Sequence, residues 1–385
     1  MHPTLASSRS RRVLALGVGV VGTLALLTPH TAVAGTAAGG AQPYDPIAAA
    51  RRAAPVVVVD GLDNPRQLTL TPSRRLLVAQ AGHGSYDKRN CVQGAMGPQC
   101  IGLTGKVTLI VDGRKKNVMS GLLSGASPDG TFATGSDGAA KRPGGPYLSI
   151  ITYAPPETFP EGIPSAQAGR LVSKRIGGSN RVAANITAFE RRNDPDGEGV
   201  DSNPYSVLAW KGRTLVADAA ADSILTVSRR GHVALFHTMR EYGAKVDAVP
   251  TVLAPDLRTG NLLVGELHSE LPGKARVWAL DDDGDAVRSW RGFTTVTGVA
   301  RSADGTLYVS ELFGGSCGMA QIPTCFPGRV VKVAPGGKRT SVAVPFPAGI
   351  VTRNGKVYVN AFSTSPAKGF GGNPAWSGQL WRLRF

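Results

Sequence analysis

The sequence is poor in the residues that carry most catalytic chemistry. It has four cysteines and six histidines in 385 residues, and charged residues make up only 18%. The histidines are scattered, and no complete set of nucleophile, base and orienting residue can be assembled around them. This scarcity favours a binding or scaffold protein over a hydrolase.

Aromatic residues are also few, at 6% of the chain, although the formal net charge is +16. Nucleic-acid binding sites combine clustered Lys and Arg with stacking aromatics, and no such stripe is visible in the sequence. The basic residues are scattered along the chain and predict a basic solvated surface. We therefore expect no nucleic-acid partner.

No apolar run is long enough for a comfortable membrane span, which needs about 20 residues. Arg9, Arg11 and Arg12 precede an apolar run from Val13 to Leu27 and a small-residue site ending at Ala34. This pattern predicts a secretory signal peptide at residues 1–34, followed by a flexible leader at 35–54. The paired arginines also fit a twin-arginine signal, and a retained anchor is the alternative. We expect a secreted or envelope-associated protein without a stable membrane span.

The four cysteines form two close pairs, Cys91 with Cys100 and Cys317 with Cys325. In an exported protein, two distant pairs of this kind predict two local disulfides, each of which closes one loop. A Cys₄ zinc site is disfavoured because it would need tighter spacing.

Glycine and proline are abundant, with 49 and 27 residues, and favour short strands joined by turns. One unit recurs along the chain, an apolar strand that ends on a polar residue and is preceded by a turn. Its copies are Leu76–Gln80, Thr214–Asp218, Leu262–Glu266, Leu307–Glu311 and, more weakly, Val357–Ala361. Repetition at about 45–55 residues predicts an all-β propeller.

Five units begin near Asn64, Asn203, Val249, Thr297 and Phe346, and a sixth lies between residues 121 and 176. We therefore predict a single domain at residues 55–385, a six-bladed propeller of the NHL or gluconolactonase-like kind. The strand at residues 56–59 has no blade of its own and is predicted to complete the last one, which removes an exposed sheet edge. One helix is predicted near residues 183–192, inserted between the second and third blades.

The polar residue that ends the second strand of each unit occupies a repeated position, at Gln80, Asp218, Glu266 and Glu311. One interpretation is a ring of carboxylates at the channel that binds Ca²⁺. The other is that each side chain accepts backbone hydrogen bonds within its own blade, which avoids the cost of burying several unpaired carboxylates. The candidate binding residues are Arg66, Asp201, Asn203, Asp218, Glu266 and Glu311.

A loop after the predicted helix contains Asp194, Asp196, Glu198 and Asp201 around glycines. Its spacing is similar to calcium loops, although it lacks the closing Glu of an EF-hand. Asp194, Asp196 and Asp201 are the candidate metal ligands, and Ca²⁺ is the candidate cofactor.

Several segments carry a family resemblance: Gly61–Arg66, the Cys91–Cys100 loop followed by Gly102–Gly105, Asn193–Gly197, Asp201–Tyr205, Val249–Thr251 and Val264–Leu267. Over about residues 55–385, the chain resembles the ScyD/ScyE family, which is named from gene clusters for the extracellular pigment scytonemin. The resemblance implies an exported propeller, and it implies no catalytic residues.

Two functions follow as hypotheses. The first is an exported, non-catalytic binding or scaffold protein, a monomer that offers the mouth of its channel to a small molecule, a glycan or a protein. The second is a Ca²⁺-dependent lactonase-like hydrolase or a sugar dehydrogenase that acts at the central channel. Arg66 and Gln80 stand where the second hypothesis would require a Glu ligand.

Overall fold

The computed structural model describes residues 54–94, 97–152, 159–239 and 246–385. These residues form six antiparallel sheets arranged as the blades of a propeller, which confirms the predicted fold class and blade number. The predicted signal peptide and nearly all of the predicted leader lie outside the described residues. No helix within the described ranges is long and apolar enough to cross a membrane.

The strands follow the chain from β1 (Val56–Leu62), which belongs to the sixth blade. The first blade contains β2 (Pro65–Leu70), β3 (Leu76–Gln80), β4 (Cys91–Gly94), β5 (Gly97–Val111) and β6 (Arg114–Ala126). The second contains β7 (Ser136–Lys141), β8 (Tyr147–Ile151), β9 (Arg170–Lys174) and β10 (Arg181–Asn185). The third contains β11 (Pro204–Trp210), β12 (Arg213–Asp218), β13 (Ser223–Val227) and β14 (Val233–Thr238).

The fourth blade contains β15 (Pro250–Pro255), β16 (Leu262–Glu266), β17 (Ala275–Leu280) and β18 (Ala286–Phe293). The fifth contains β19 (Val296–Arg301), β20 (Leu307–Glu311), β21 (Arg329–Val333) and β22 (Arg339–Ala343). The sixth contains β23 (Ile350–Arg353), β24 (Lys356–Ala361) and β25 (Gly378–Leu383). Short 3₁₀ helices lie at Lys88–Asn90, His268–Glu270, Met319–Gln321, Phe370–Gly372 and Pro374–Trp376.

The ring closes as the sequence predicts, because β1 pairs antiparallel with β25 and supplies the outer strand of the sixth blade. The second blade is also confirmed where its repeat is weakest, since Tyr147–Ile151 forms its second strand. The predicted disulfides Cys91–Cys100 and Cys317–Cys325 are both formed.

The inserted helix, α1 (Thr187–Asn193), lies between the second and third blades but begins later than predicted. Residues 181–185 are the strand β10 instead, and they pair with β9 from Arg181↔Ser173 to Asn185↔Arg170. The second blade needs this fourth strand to cover β9, and that tertiary pairing overrides the local helical spacing.

The blades pack through apolar side chains of their middle strands, such as Val264 and Trp278 against Leu215 of the preceding blade. Close approach of the inner strands depends on glycine. A Cβ atom at Gly349, just before β23, would lie 2.0 Å from the Leu68 backbone nitrogen of the first blade.

Four strands of each blade lie side by side as an antiparallel series, so the propeller has two different ends. In the first blade these four are β2, β3, β5 and β6, and β4 is an additional strand that pairs with the start of β5. In the sixth blade they are β23, β24, β25 and β1. The turn face carries the turns between first and second strands and between third and fourth strands. The loop face carries the connections between second and third strands and between successive blades. Every inner strand therefore begins at the loop face.

Candidate functional site

The repeated polar residues at the loop face bind backbone within their own blades. Gln80 Oε1 accepts a hydrogen bond of 2.7 Å from the Asp63 amide, and Asp218 Oδ1 accepts one of 2.6 Å from the Asn203 amide. Glu311 Oε1 accepts one of 2.8 Å from the Thr294 amide. In each case the end of the second strand is tied to the residue that leads into the first strand. At these three residues the geometry agrees with the second interpretation, in which each side chain accepts backbone hydrogen bonds within its own blade.

Glu266 departs from this pattern. Its Oε2 accepts a hydrogen bond of 3.1 Å from Trp278 Nε1, and its Oε1 lies 3.3 Å from His268 Nδ1. The backbone amides of Ala248 and Val249 are bound instead by Asp222, at 3.1 and 2.7 Å. Burial raises the pKa of Glu266 to about 7, against the Trp278 hydrogen bond that lowers it.

Arg66 lines the channel beneath the loop face and is only 4% exposed. Its Nε lies 3.6 Å from Asp137 Oδ1, and its guanidinium donates to the Ala133 carbonyl and to the Tyr205 hydroxyl. Burial raises the pKa of Asp137 to about 6, while Arg66 opposes that rise. The buried Arg66 cation of the first blade is thus paired with Asp137 of the second blade, at the end of the channel nearest the loop face.

The channel has a volume of about 130 Å³ and is lined mainly by apolar side chains from the inner strands of five blades. The side chain of Gln67 connects the first blade to the second and the third. Its Nε2 donates to Ser206 Oγ at 2.9 Å, and its Oε1 accepts from the Ala139 amide at 3.0 Å. A cavity of about 150 Å³ holds benzene. A sugar or a larger ligand must therefore bind at one of the two faces.

The described residues include one Asp–His pair at the loop face. His83 Nδ1 lies 2.7 Å from Asp63 Oδ2, and Lys106 Nζ lies 3.2 Å from the same oxygen. The other side of the imidazole stacks on Tyr86, with ring centroids 4.6 Å apart. Among the described residues, no serine, threonine or cysteine side chain forms a hydrogen bond with the His83 ring. The pair thus lacks the nucleophile that a triad requires.

The insertion between the second and third blades brings three carboxylates together. Ligand oxygens of Glu190, Asp194 and Asp196 all lie within 4.8 Å of one another. The carboxylate of Asp201 is not part of this group, although its backbone amide is close enough to Glu190 to lower the Glu190 pKa. The structure thus groups two of the predicted ligands and adds Glu190, which the sequence pattern did not single out.

Glu190 is 1% exposed, and neither of its carboxylate oxygens accepts a hydrogen bond of ordinary length and angle. Burial, together with the negative charges of Asp218, Asp196 and Asp194, raises the pKa of Glu190 to about 8. Burial likewise raises the pKa of Asp196 to about 6. The fold therefore holds three carboxylates close together, and two of them, Glu190 and Asp196, are buried.

The turn face has the opposite charge, and on three consecutive blades it is almost purely basic. We call the turns of the first, second and third blades the basic half-face. Its cationic residues are Arg74, Arg75, Arg114, Lys115, Lys116, Lys141, Arg142, Lys174, Arg175, Arg181, Lys211, Arg213, Arg229 and Arg230. Asp112 is the one acidic residue in these turns, all of which are described. Lys211 pairs with Asp282 of the fourth blade, where acidic turn residues begin.

A pocket of about 220 Å³ opens on the basic half-face between the first and second blades. Its lining includes Arg75, Lys141 and Arg142, the hydroxyls of Thr71 and Ser73, and no acidic side chain. Arg142 also contacts the third blade, because its Nε donates to Thr214 Oγ1 at 2.8 Å. Burial and the positive charge of Arg229 lower the pKa of Arg142. Several positively charged side chains therefore lie close together in and beside the pocket, and a bound anion would neutralise their charge.

No family model and no curated protein matches the chain. The solved structures it resembles include the PQQ-bound aldose sugar dehydrogenase from Streptomyces coelicolor, at 14% identity and a TM-score of 0.49, with 86% of this chain and 96% of that chain covered. A putative glucose dehydrogenase from Thermus thermophilus matches at 16% identity and a TM-score of 0.48, covering 86% and 100%. A putative gluconolactonase matches at 13% identity and a TM-score of 0.47, covering 86% and 92%. Likeness at this level carries no inference about activity.

Proposed function

We propose that this protein is an exported, non-catalytic binding propeller that attaches through its basic half-face to a polymer carrying repeated anionic groups. The observation that carries the proposal is the pocket lined by Arg75, Lys141 and Arg142 without an acidic side chain. Sulfate, phosphate and carboxylate groups share the chemistry that such a pocket recognises, because each accepts charge-assisted hydrogen bonds from Arg and Lys.

The geometry of the half-face suits a polymer better than a single small anion. Its cations occupy the turns of three neighbouring blades, so a chain with a charge on each repeat meets several of them at once. Exposed charges contribute little singly, and their sum is what attracts a polyanion. The pocket supplies one position where a single anionic group is partly enclosed.

Membership of the ScyD/ScyE family is part of the same proposal and is supported by the motifs given above. It is compatible with attachment outside the cell, where anionic envelope and sheath polymers are found. The lactonase-like or dehydrogenase alternative receives less support. The position of its axial ligand is held by the buried Arg66 cation, and two of the three repeated carboxylates, Asp218 and Glu311, are bound to backbone amides.

The test is binding of the purified full chain to heparin, polyphosphate and polygalacturonate, measured at several salt concentrations. We expect binding to at least one of them that weakens with salt, because screening acts on exposed charges over about 10 Å. Polyphosphate and polygalacturonate present phosphate and carboxylate alone, and heparin presents sulfate together with carboxylate. Binding to heparin but not to polygalacturonate would therefore identify sulfate as the preferred group.

A matched pair of double variants tests the face. Arg75→Glu with Arg229→Glu changes two exposed turn residues of the half-face, and Lys88→Glu with Lys274→Glu changes two exposed residues at the loop face. Both lower the net charge equally. We expect the first pair to weaken binding by about tenfold or more, equivalent to 1.4 kcal/mol, and the second to change it much less.

Equal losses in the two double variants, or no binding of any polymer by the wild type, would overturn the proposal. Turnover of lactones or sugars that depends on added Ca²⁺ or on a quinone cofactor would establish the alternative.

A further inference from the structure

We propose that Glu190, Asp194 and Asp196 bind a Ca²⁺ ion in the insertion between the second and third blades. The site lies on the loop face and is independent of the polymer-binding surface proposed above. It draws one residue from α1 and two from the loop that follows it.

The spacing of the oxygens fits calcium. Ca²⁺ binds oxygen ligands at about 2.3–2.6 Å, so ligands on opposite sides of the ion are separated by up to about 5 Å. The three carboxylates each offer an oxygen within 4.8 Å of the others, so one ion can reach all three.

The second observation is the state of Glu190 itself. Its carboxylate is 1% exposed and lacks a hydrogen-bond donor of ordinary geometry, while its neighbours in the group are also carboxylates. A buried carboxylate without a partner is strongly unfavourable and must be neutralised by a proton or by a cation. A divalent cation neutralises several carboxylates together, which a single proton cannot do.

Asp194 and Asp196 point to the same conclusion. Their carboxylate oxygens lie within 4.8 Å of each other, and two carboxylates this close repel each other unless a proton or a cation compensates their charge. Both carboxylates also form hydrogen bonds with the backbone of their own loop. Asp194 Oδ1 accepts from the Gly199 amide at 3.1 Å, and Asp196 Oδ1 accepts from the Glu198 amide at 2.9 Å. The loop is therefore shaped before an ion binds.

The donor set selects the class of ion. All three ligands are carboxylates, with no histidine or cysteine in the group, which favours hard cations over zinc or copper. Mg²⁺ prefers shorter distances of 2.0–2.1 Å and usually keeps several waters, whereas Ca²⁺ accommodates an irregular set of protein oxygens. We expect backbone carbonyls or waters to complete the coordination.

The ion would stabilise the entry into the third blade. Thr187 at the start of α1 lies 3.1 Å from Ser202, oxygen to oxygen, and Ser202 donates at 2.7 Å to Asp218. Holding α1 against its loop therefore holds the segment that leads into β11.

The test is calorimetric titration of the full chain, freed of metal with EDTA, with Ca²⁺ and separately with Mg²⁺. Thermal unfolding is followed in the same buffers. We expect one Ca²⁺ site, weaker binding of Mg²⁺, and a melting temperature that rises with Ca²⁺, because an ion bound only to the folded state stabilises it. No heat and no change in melting temperature would overturn the proposal.

Two variants test whether Glu190 is a ligand of the ion or only a structural side chain. Glu190→Gln keeps the shape but removes the charge, and we expect a loss of at least about tenfold in Ca²⁺ affinity. Glu198→Gln, in the same loop but outside the group, is the matched control and should stay within about threefold.

The melting temperatures measured without metal decide between these two roles of Glu190. In EDTA, Glu190→Gln should melt at or above the wild type, because the buried charge is gone. A lower melting temperature in EDTA, or Ca²⁺ affinity equal to that of the wild type, would show that Glu190 serves only the fold. Polymer binding at the turn face should be the same in all these variants, so the two proposals fail separately.

Discussion

The Asp218 carboxylate accepts a hydrogen bond of 2.6 Å from the backbone amide of Asn203, fifteen residues earlier in the chain. Gln80 and Glu311 make the equivalent contact in the first and fifth blades. A position that repeats in sequence and ends a strand can thus serve each blade separately. Repetition around the ring does not by itself indicate a shared ligand.

This contact predicts a stability effect. Asp218→Ala should lower the free energy of unfolding by about 1–3 kcal/mol, because it leaves the buried Asn203 amide without its acceptor. Asp283→Ala, at an exposed turn residue, is the control and should change it by less than about 0.5 kcal/mol. Urea denaturation measures both, and equal effects would contradict the prediction.

Close packing of the inner strands predicts a steric effect. Gly349→Ala should destabilise the fold by about 3 kcal/mol, because the new Cβ would lie 2.0 Å from the Leu68 nitrogen and 2.8 Å from the Arg66 carbonyl oxygen. Gly336→Ala provides the comparison, since nothing lies within 4 Å of its added Cβ. Differential scanning calorimetry of the two variants should show a large shift only for Gly349→Ala.

The Arg66–Asp137 pair predicts a pH dependence. The pKa of Asp137 is raised from 3.8 to about 6, so the folded state holds a proton that the unfolded chain releases over this range. This group's contribution to stability, at most about 3 kcal/mol, is present below about pH 4 and is lost as the pH rises through 6.

Asp137→Asn should remove that part of the slope. The free energy of unfolding, measured in urea at intervals between pH 4 and pH 7, would then fall less steeply in the variant than in the wild type. Parallel curves would mean that Asp137 does not titrate in this window.

The disulfide between β4 and β5 predicts a redox effect. Cys91→Ser with Cys100→Ser should cost about 2–3 kcal/mol, because the bond closes a loop of nine residues in the unfolded chain. Dithiothreitol should lower the melting temperature of the wild type by more than that of the variant, which retains only Cys317–Cys325. An identical drop in both proteins would assign the stabilisation to Cys317–Cys325.

The sequence predicts the blades well because a hairpin is a local structure. Leu262–Glu266 has its alternation, its turn and its partner strand within about 20 residues, and the same holds for its copies. The predicted start of α1 near residue 183 is too early, because residues 183–185 belong to β10. Only their pairing with β9 makes them a strand.

The basic half-face is not predictable in the same way. Arg75, Arg142 and Arg229 are far apart in the chain and look like isolated surface charges. They become neighbours because corresponding turns of successive blades lie side by side at one end of the ring. Sequence spacing carries no sign of that adjacency until the number and order of the blades are known.

Glu190 escapes sequence-based prediction for a related reason. It precedes Asp194 by one helical turn, but the sequence pattern places it only within the predicted helix near residues 183–192. The left-handed conformation of Asp194, with φ of 42°, turns the loop back so that Asp196 also reaches Glu190. That reversal, and not the spacing of the acidic residues, creates the group.

The pairing of β1 with β25 also sets an order of events during synthesis. The sixth blade needs a strand made at the beginning of the domain and three strands made at its end. A growing chain can complete the first five sheets one after another, but it must keep β1 unpaired until residues 378–383 have been made. Ring closure therefore cannot precede the synthesis of β25, and a chain that stops before β25 would expose both β1 and β24 as free edges.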